Sequence, residues 1–247
     1  ASIINYTKEF GLKSKNSMQD ILKSLLLSPL VHVDETTVKV DGKMTRTSTT
    51  TTDKCTYLHL KGKHLETETP DVFLELYSGI LVHDHDKKYY KNTAVTHAEC
   101  NAHILRYVTY YIELHKHKGA IAFIDLLKRI NKERHLAIAT GSTSFPSAYK
   151  AESRRLYREH LSTWKTEYDD ITKDLSPEQV KKYHNGEKLL MKRLVEYEDA
   201  HLLFMENFEV PFTNNEAERS FRILKTIMNI SGTFRSESHA QYVMAIQ

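Results

Sequence analysis

The spacing of apolar residues along the chain changes once. Up to about residue 100 they come in short, β-branched or alternating runs; from Asn101 to about Phe208 they recur every three to four residues. In the first half, Leu30-Val31-His32-Val33-Asp34-Glu35-Thr36, continued by Val38 and Val40 and closed by Asp41-Gly42, predicts a strand and a turn. Residues 55–60 alternate as a second strand, 79–84 read as a buried strand, and 94–100 as a further short one. Met18, Ile21, Leu22, Leu25 and Leu26 predict an amphipathic helix over 17–28, ended by Pro29. Pro70 opens a short helix through Tyr77. Residues 1–15 show no period and read as a polar lead, and the Thr-rich stretch 45–53 reads as a loop or a polar hairpin tip. In the second half, 101–117, 119–138, 147–173 and 186–207 predict helices, with breaks at 141–146, Pro177 and Gly186.

Composition narrows the class without choosing a function. The 247 residues suffice for one large domain or a domain with an insertion, and 40% apolar residues supply a core. Eight Gly and five Pro suit an ordered, helix-rich protein. No apolar run reaches the roughly 18 residues of a transmembrane helix, and polar, charged residues 1–17 do not resemble a secretory signal. Two cysteines, Cys55 and Cys100, make no disulfide framework, so a reducing cytoplasm is expected. A net charge of +3 permits a nucleic-acid partner without arguing for one.

The candidate chemistry centres on three carboxylates. Asp34 and Asp84 each end a predicted strand, the position where ligand sites collect in open α/β sheets. Glu218 lies in Asn214-Asn215-Glu216-Ala217-Glu218-Arg219-Ser220-Phe221-Arg222, predicted as one helix that the two Asn can cap. Arg222 and Lys225, four and seven residues after Glu218, return to its face. Taken alone, this helix is an ordinary solvated one with an ion pair. Three carboxylates brought together repel by roughly 4 kcal/mol per pair at about 4 Å and an effective dielectric near 20. Such a cluster needs cations, and hard oxygen ligands select Mg²⁺ or Mn²⁺. Two ions about 3.5–4 Å apart can serve both the attacking and the leaving oxygen of a phosphodiester. Glu35 and Asp86 are rival ligands by spacing, and with 32 acidic residues two strand-end aspartates can also arise by chance.

Four segments occur in order: Val31-His32-Val33-Asp34-Glu35-Thr36, Gly79-Ile80-Leu81-Val82-His83-Asp84, Thr96-His97-Ala98-Glu99-Cys100-Asn101-Ala102-His103 and Asn214-Asn215-Glu216-Ala217-Glu218-Arg219. Together they resemble the catalytic domain of bacterial transposases of the insertion-sequence-66 family, over about residues 30–110 and 186–235. The resemblance implies an α/β fold, an RNase H-like mixed sheet core interrupted by an all-helical insertion. Its parts would be an N-terminal lead and amphipathic helix (1–29), the first part of the core (30–103), the insertion (104–208) and a C-terminal part with the glutamate helix (209–247). It implies Asp34, Asp84 and Glu218 as the catalytic, metal-binding DDE triad, with Glu218 preferred to Glu216 because Arg219 follows it. Arg219, Arg222 and Lys225 become DNA-binding candidates, with Lys225 near the scissile phosphate. The implied activity is Mg²⁺- or Mn²⁺-dependent cleavage of double-stranded DNA at element ends and strand transfer to target DNA. A homo-oligomer in the synaptic complex, accessory proteins, and a bacterial cytoplasmic, nucleoid-associated location go with it.

The chain departs from the family pattern at Ile223, where proline is usual, in the Ile227-Met228-Asn229-Ile230 stretch, and near residue 55, where a strand tryptophan is usual. None of these touches the triad. Cys100 and His103 form half a zinc site, which Cys55 would have to complete; a hydrogen-bonding or packing role beside the active site is the simpler expectation. His32-Val33-Asp34 and His83-Asp84-His85-Asp86 support a rival, a His/Asp-centred metal-dependent phosphohydrolase. A non-catalytic, transposase-derived DNA-binding protein is the third alternative. Two basic clusters, from Arg106 to Arg134 and at Arg154, Arg155 and Arg158, are further DNA candidates. Trp164 and Tyr168, four apart, are expected in the core. No helix-turn-helix or zinc-finger spacing is seen, and the end at Gln247 within a helical pattern suggests a catalytic fragment or a truncated protein.

Overall fold

The computed structural model describes residues 3–61 and 72–245 and is a mixed α/β protein. The chain forms two compact units, one of residues 1–97 with 214–247 and one of residues 98–213.

The first unit is built on β1 (Leu30–Val40), β2 (Lys43–Thr51), β3 (Thr56–Leu60), β4 (Ile80–His83) and β5 (Thr96–Glu99), in the order β3-β2-β1-β4-β5. Strands β1, β2 and β3 pair antiparallel, and β1 pairs parallel with β4. Asp41 and Gly42, with φ of 52° and 73°, make the tight turn between β1 and β2 that the Asp-Gly pair predicts. The helices of this unit are α1 (Ile3–Lys13), α2 (Lys15–Leu26), α3 (Val72–Leu76), α10 (Asn215–Ser220), α11 (Arg222–Ser231) and α12 (Glu237–Met244).

Strand alternation divides the core between the two sheet faces. Val31 and Val33 pack with Leu25, Phe73, Tyr77, Leu81 and Tyr89. Val38 and Val40, of the opposite parity, pack with Phe221, Leu224, Phe234 and Met244. Asp34 shares the parity of Val38 and Val40. The apolar stripe of α11 that covers those valines therefore also brings the C-terminal segment to Asp34.

Two elements correct the sequence reading. Residues 45–51 are strand, not loop: Thr45, Thr47, Thr49 and Thr51 are all buried between β1 and β3. Their branched side chains suit a pleated surface, and their hydroxyls find partners, as in Thr47 Oγ1 to the His59 carbonyl at 2.9 Å and Thr51 Oγ1 with Thr56 Oγ1 at 2.7 Å. The polar lead is helical, as α1, because it packs on α12. There a Cβ on Gly11 would stand 2.5 Å from the Tyr242 ring. Pro70, expected to open a helix, lies outside the described residues; the helix seen is α3.

The second unit carries α4 (Asn101–His115), α5 (Lys118–Ala139), α6 (Ser147–Thr172), α7 (Pro177–Tyr183), α8 (Asn185–Glu196) and α9 (Glu198–Glu206). Pro177 starts a helix rather than breaking one, with Ser176 and Gln179 forming a reciprocal capping box around it. The predicted 186–207 helix is two, divided at Tyr197. Trp164 and Tyr168 are buried as expected. Gly119 lets α5 approach α6 closely, since a Cβ there would meet the Trp164 backbone nitrogen at 2.3 Å.

Candidate active site

The parallel register pairs His32 with Val82, so continuing it by two residues sets Asp34, in the middle of β1 rather than at the strand end expected of it, beside Asp84, which directly follows β4. Asp34 accepts the Glu35 backbone N–H at 2.8 Å, and Asp84 accepts that of Asp86 at 3.1 Å. The Asp34 carboxyl is pushed up to about 6. Burial is the largest cause, opposed by the Glu35 N–H; the charges of Asp84 and Glu218 raise it further, and Lys225 lowers it. Asp84, Glu218 and Lys225 therefore all lie within electrostatic reach of Asp34. Among the described residues none of the three carboxylates enters an ion pair.

Asn214 fixes where Glu218 goes. It does not cap α10 with its side chain, as its type suggested. Buried, it donates through Nδ2 to the Val33 carbonyl at 2.8 Å, and its Oδ1 meets His32 Nδ1 at 2.9 Å. With Nδ2 donating to Val33, Oδ1 accepts the His32 Nδ1–H. Ser220 adds a tie from its Oγ to Thr49 Oγ1 at 2.8 Å, and Thr49 is the β2 partner of Asp34. The start of α10 is thus stitched to β1 and its end to β2, with Glu218 between.

The rival acidic ligands are occupied. Glu35 holds Lys61 and, at 2.6 Å, Lys88. Asp86 holds Lys88 at 2.9 Å and caps the 3₁₀ turn Lys87–Lys91. Glu216 faces Arg219 at 3.5 Å.

Of the rival histidines, His32 and His83 are engaged too. Burial lowers the His32 pKa, with Asn214 and then Glu216 opposing it. His83, fully buried, donates Nδ1–H to the Asp84 carbonyl at 2.6 Å, and its Nε2 meets His97 Nδ1 at 3.0 Å. His97 Nε2 in turn reaches the Asn92 carbonyl at 3.0 Å. Carbonyls accept at both ends, so the three bonds together need three N–H groups, one more than two neutral imidazoles carry.

The basic candidates separate. Lys225 is exposed on α11 and reaches Asp34 electrostatically. Arg222 is exposed, but Phe221 divides α10 from α11, so the single-helix spacing that put it on the Glu218 face does not hold. Arg219 lines a groove with Thr52, Lys54, Tyr57, Glu216 and Ser220, none of which is a triad residue. Cys100 and His103 lie in the second unit, where Cys100 is buried and precedes α4.

In the second unit the basic residues expected to meet DNA divide: Arg106, Lys116, Lys118, Lys128, Arg129 and Lys132 are exposed, whereas Arg134, Arg154, Arg155 and Arg158 have partners within the unit. Arg154 binds Glu198, Asp199 and Glu206; Arg158 binds Glu198; Arg155 binds Glu152 and Glu159. Arg134 is buried and donates to the Phe208 and Val210 carbonyls. Glu99, from the third sequence segment, is a buried anchor that the pattern did not reveal: it holds Arg193 and, at 3.1 Å, His201 Nε2.

Fold and site define a mixed α/β protein with one carboxylate within a strand, a second just past the end of its parallel neighbour, and a third from a helix far along the chain. The transposase IS66 family matches residues 1–242, and the chain belongs to that family. Membership points to a role in transposition. Comparison with curated proteins finds no match, and comparison with solved structures finds none. Among the described residues no helix is long and apolar enough to cross a membrane.

Proposed function

We propose that the first unit is the catalytic core of a DDE transposase with an RNase H-like sheet, cutting element ends and joining them to target DNA. The observation that carries this is the convergence of Asp34, Asp84 and Glu218 with Lys225 while every nearby rival carboxylate is neutralised. The strand order β3-β2-β1-β4-β5, with only β4 parallel to β1 among the registered pairs, supports the RNase H-like assignment.

The donor set fits Mg²⁺ or Mn²⁺. Its oxygens are hard, and the Asp34 pKa, raised chiefly by burial, is raised further by the charges of Asp84 and Glu218, a repulsion that a divalent cation relieves. Asp34, Asp84 and Glu218 would hold two such ions, which when bound supply Lewis-acid polarisation of the phosphodiester.

The chain's own residues do the positioning. Asn214 and Ser220 tie the two ends of the Glu218 helix to β1 and β2. Lys225 and Arg222 bind DNA phosphates, and Arg219 holds the flanking strand along its groove. Hydrolysis of one phosphodiester leaves a 3′-OH and a 5′-phosphate. That 3′-OH then attacks a target phosphodiester, forming one new bond and freeing one target 3′-OH. The partners are double-stranded element ends and target DNA, in a synaptic complex of more than one copy of the chain.

Involvement of both His83 nitrogens and of His32 Nδ1 in hydrogen bonds weighs against a His-ligated phosphohydrolase. The test is cleavage of plasmid DNA carrying the element ends, in Mg²⁺. Asp84→Ala is expected to lower the rate by at least about 1,000-fold, the worth of several kcal/mol, while circular dichroism and DNA affinity stay near wild type. Undiminished cleavage would remove Asp84 from the chemistry.

A further inference from the structure

In the second unit, far along the chain from any residue of the triad, four polar side chains converge. His115 ends α4, His117 precedes α5, His184 joins α7 to α8, and Glu187 lies in the first turn of α8. One donor atom each from His115, His184 and Glu187 lie within 4.8 Å of one another. His115 Nε2 stands 3.5 Å from Glu187 Oε2, and His117 Nε2 stands 3.4 Å from Glu187 Oε1.

Glu187 is fully buried and His117 is 4% exposed. Nonetheless His115 Nε2, His117 Nε2, His184 Nδ1 and Glu187 Oε2 all lack a hydrogen-bond partner among the described residues. Four such atoms in one place would each carry a desolvation cost if nothing joined them. The other carboxylate oxygen is fixed: Glu187 Oε1 accepts the Trp164 Nε1–H at 2.7 Å.

We propose that His115, His184 and Glu187 bind a structural Zn²⁺ ion that ties the ends of α4, α7 and α8 together, with His117 beside it at the fourth position. The spacings support this. Two bonds of about 2.0–2.1 Å at the tetrahedral angle span roughly 3.4 Å between ligand atoms, close to the two carboxylate–imidazole separations. Nitrogen and carboxylate donors suit Zn²⁺ better than the all-oxygen triad does. Trp164 orients the carboxylate from behind, as outer partners of metal ligands do. His115, one-fifth exposed at its side chain, offers the route in from solvent. In sequence the site reads His115-x-His117 and, far downstream, His184-x-x-Glu187.

The test is metal content and thermal stability of the full chain. Protein dialysed against chelator and then Zn²⁺ is expected to keep one equivalent more than the His115→Ala/His184→Ala variant, and to gain a Tm rise that Mg²⁺ does not give. The same equivalent should persist in Asp84→Asn, which separates this site from the acidic one. Glu187→Gln, which keeps an acceptor for Trp164, should weaken Zn²⁺ by at least about 100-fold, the upper end of what losing a supporting partner costs. Zinc X-ray absorption of the wild-type protein gives a reading independent of any variant's folding: imidazole scattering is expected. No Tm rise with Zn²⁺, equal zinc in the double variant, or an oxygen-only shell would overturn the proposal.

Discussion

Two clusters of buried and half-buried charge, one in each unit, are treated in opposite ways. In the second, Glu198 and Glu206 are each met by Arg154, with Arg158 and Lys150 adding a second cation to one or the other. In the first, Asp34, Asp84 and Glu218 converge with no ion pair among the described residues and with Lys225 felt only through space. The two units carry similar numbers of charged groups, 35 in the second and 32 in the first, so what sets these two clusters apart is their pairing. An unbalanced cluster on a rigid sheet is the feature that points to chemistry; a balanced one on helix faces is scaffolding, whatever its number of arginines.

Three variants probe this contrast. The largest expected effect is on stability in the balanced unit. Glu198→Ala removes the shared acceptor of Arg154 and Arg158 and should cost about 1.5–3 kcal/mol in a denaturant melt, with the cleavage rate of the folded protein unchanged. A loss of cleavage without a loss of stability would contradict a purely structural role for Glu198.

The second is a pH effect in the unbalanced unit. The Asp34 pKa rises from 3.8 to about 6 on folding, so between those values the folded state binds more protons than the unfolded one. Stability is therefore expected to fall as pH rises through that window and to stay lower above it. Asp34→Asn should flatten that part of the Tm–pH profile, and Mg²⁺ should raise Tm at pH 8 more than at pH 4. A wild-type profile with no such fall between pH 4 and 6 would show that Asp34 is not strained by its neighbours.

The smallest effect is on DNA affinity. Lys225→Ala should reduce the slope of log K against log salt by about 0.9, one phosphate contact. An unchanged slope would leave Lys225 as a group that tunes Asp34 without touching DNA.

Local pattern carried much of this arrangement. The apolar runs ending at Asp34 and Asp84 were readable because buried strands need continuous hydrophobic residues, and Asp41-Gly42 because few residues accept positive φ. The threonine strand was not, since a polar β-branched run is buried only when strands flank it on both sides, which is a fact of the sheet. Nor was α1, whose fit depends on Tyr242 at the far end of the chain. Asn214 was read as a local cap and is instead a long-range tie to His32 and Val33. Pro177 is the opposite case: Ser176 and Gln179 spell its helix start locally, and the proline alone was read as a break. The break at Phe221, which separates Arg222 from the Glu218 helix, follows from burial of that ring in the sheet-facing core.

The central claim is that Asp34, Asp84 and Glu218 form one divalent-metal site. Crystals of the protein bound to cleaved element-end DNA and soaked in Mn²⁺ test it most directly, because the DNA supplies the remaining oxygen ligands. The account predicts anomalous peaks ringed by those three carboxylates, with Lys225 beside the phosphate. Peaks ringed by His32, His83 or Asp86 and excluding Glu218 would contradict it.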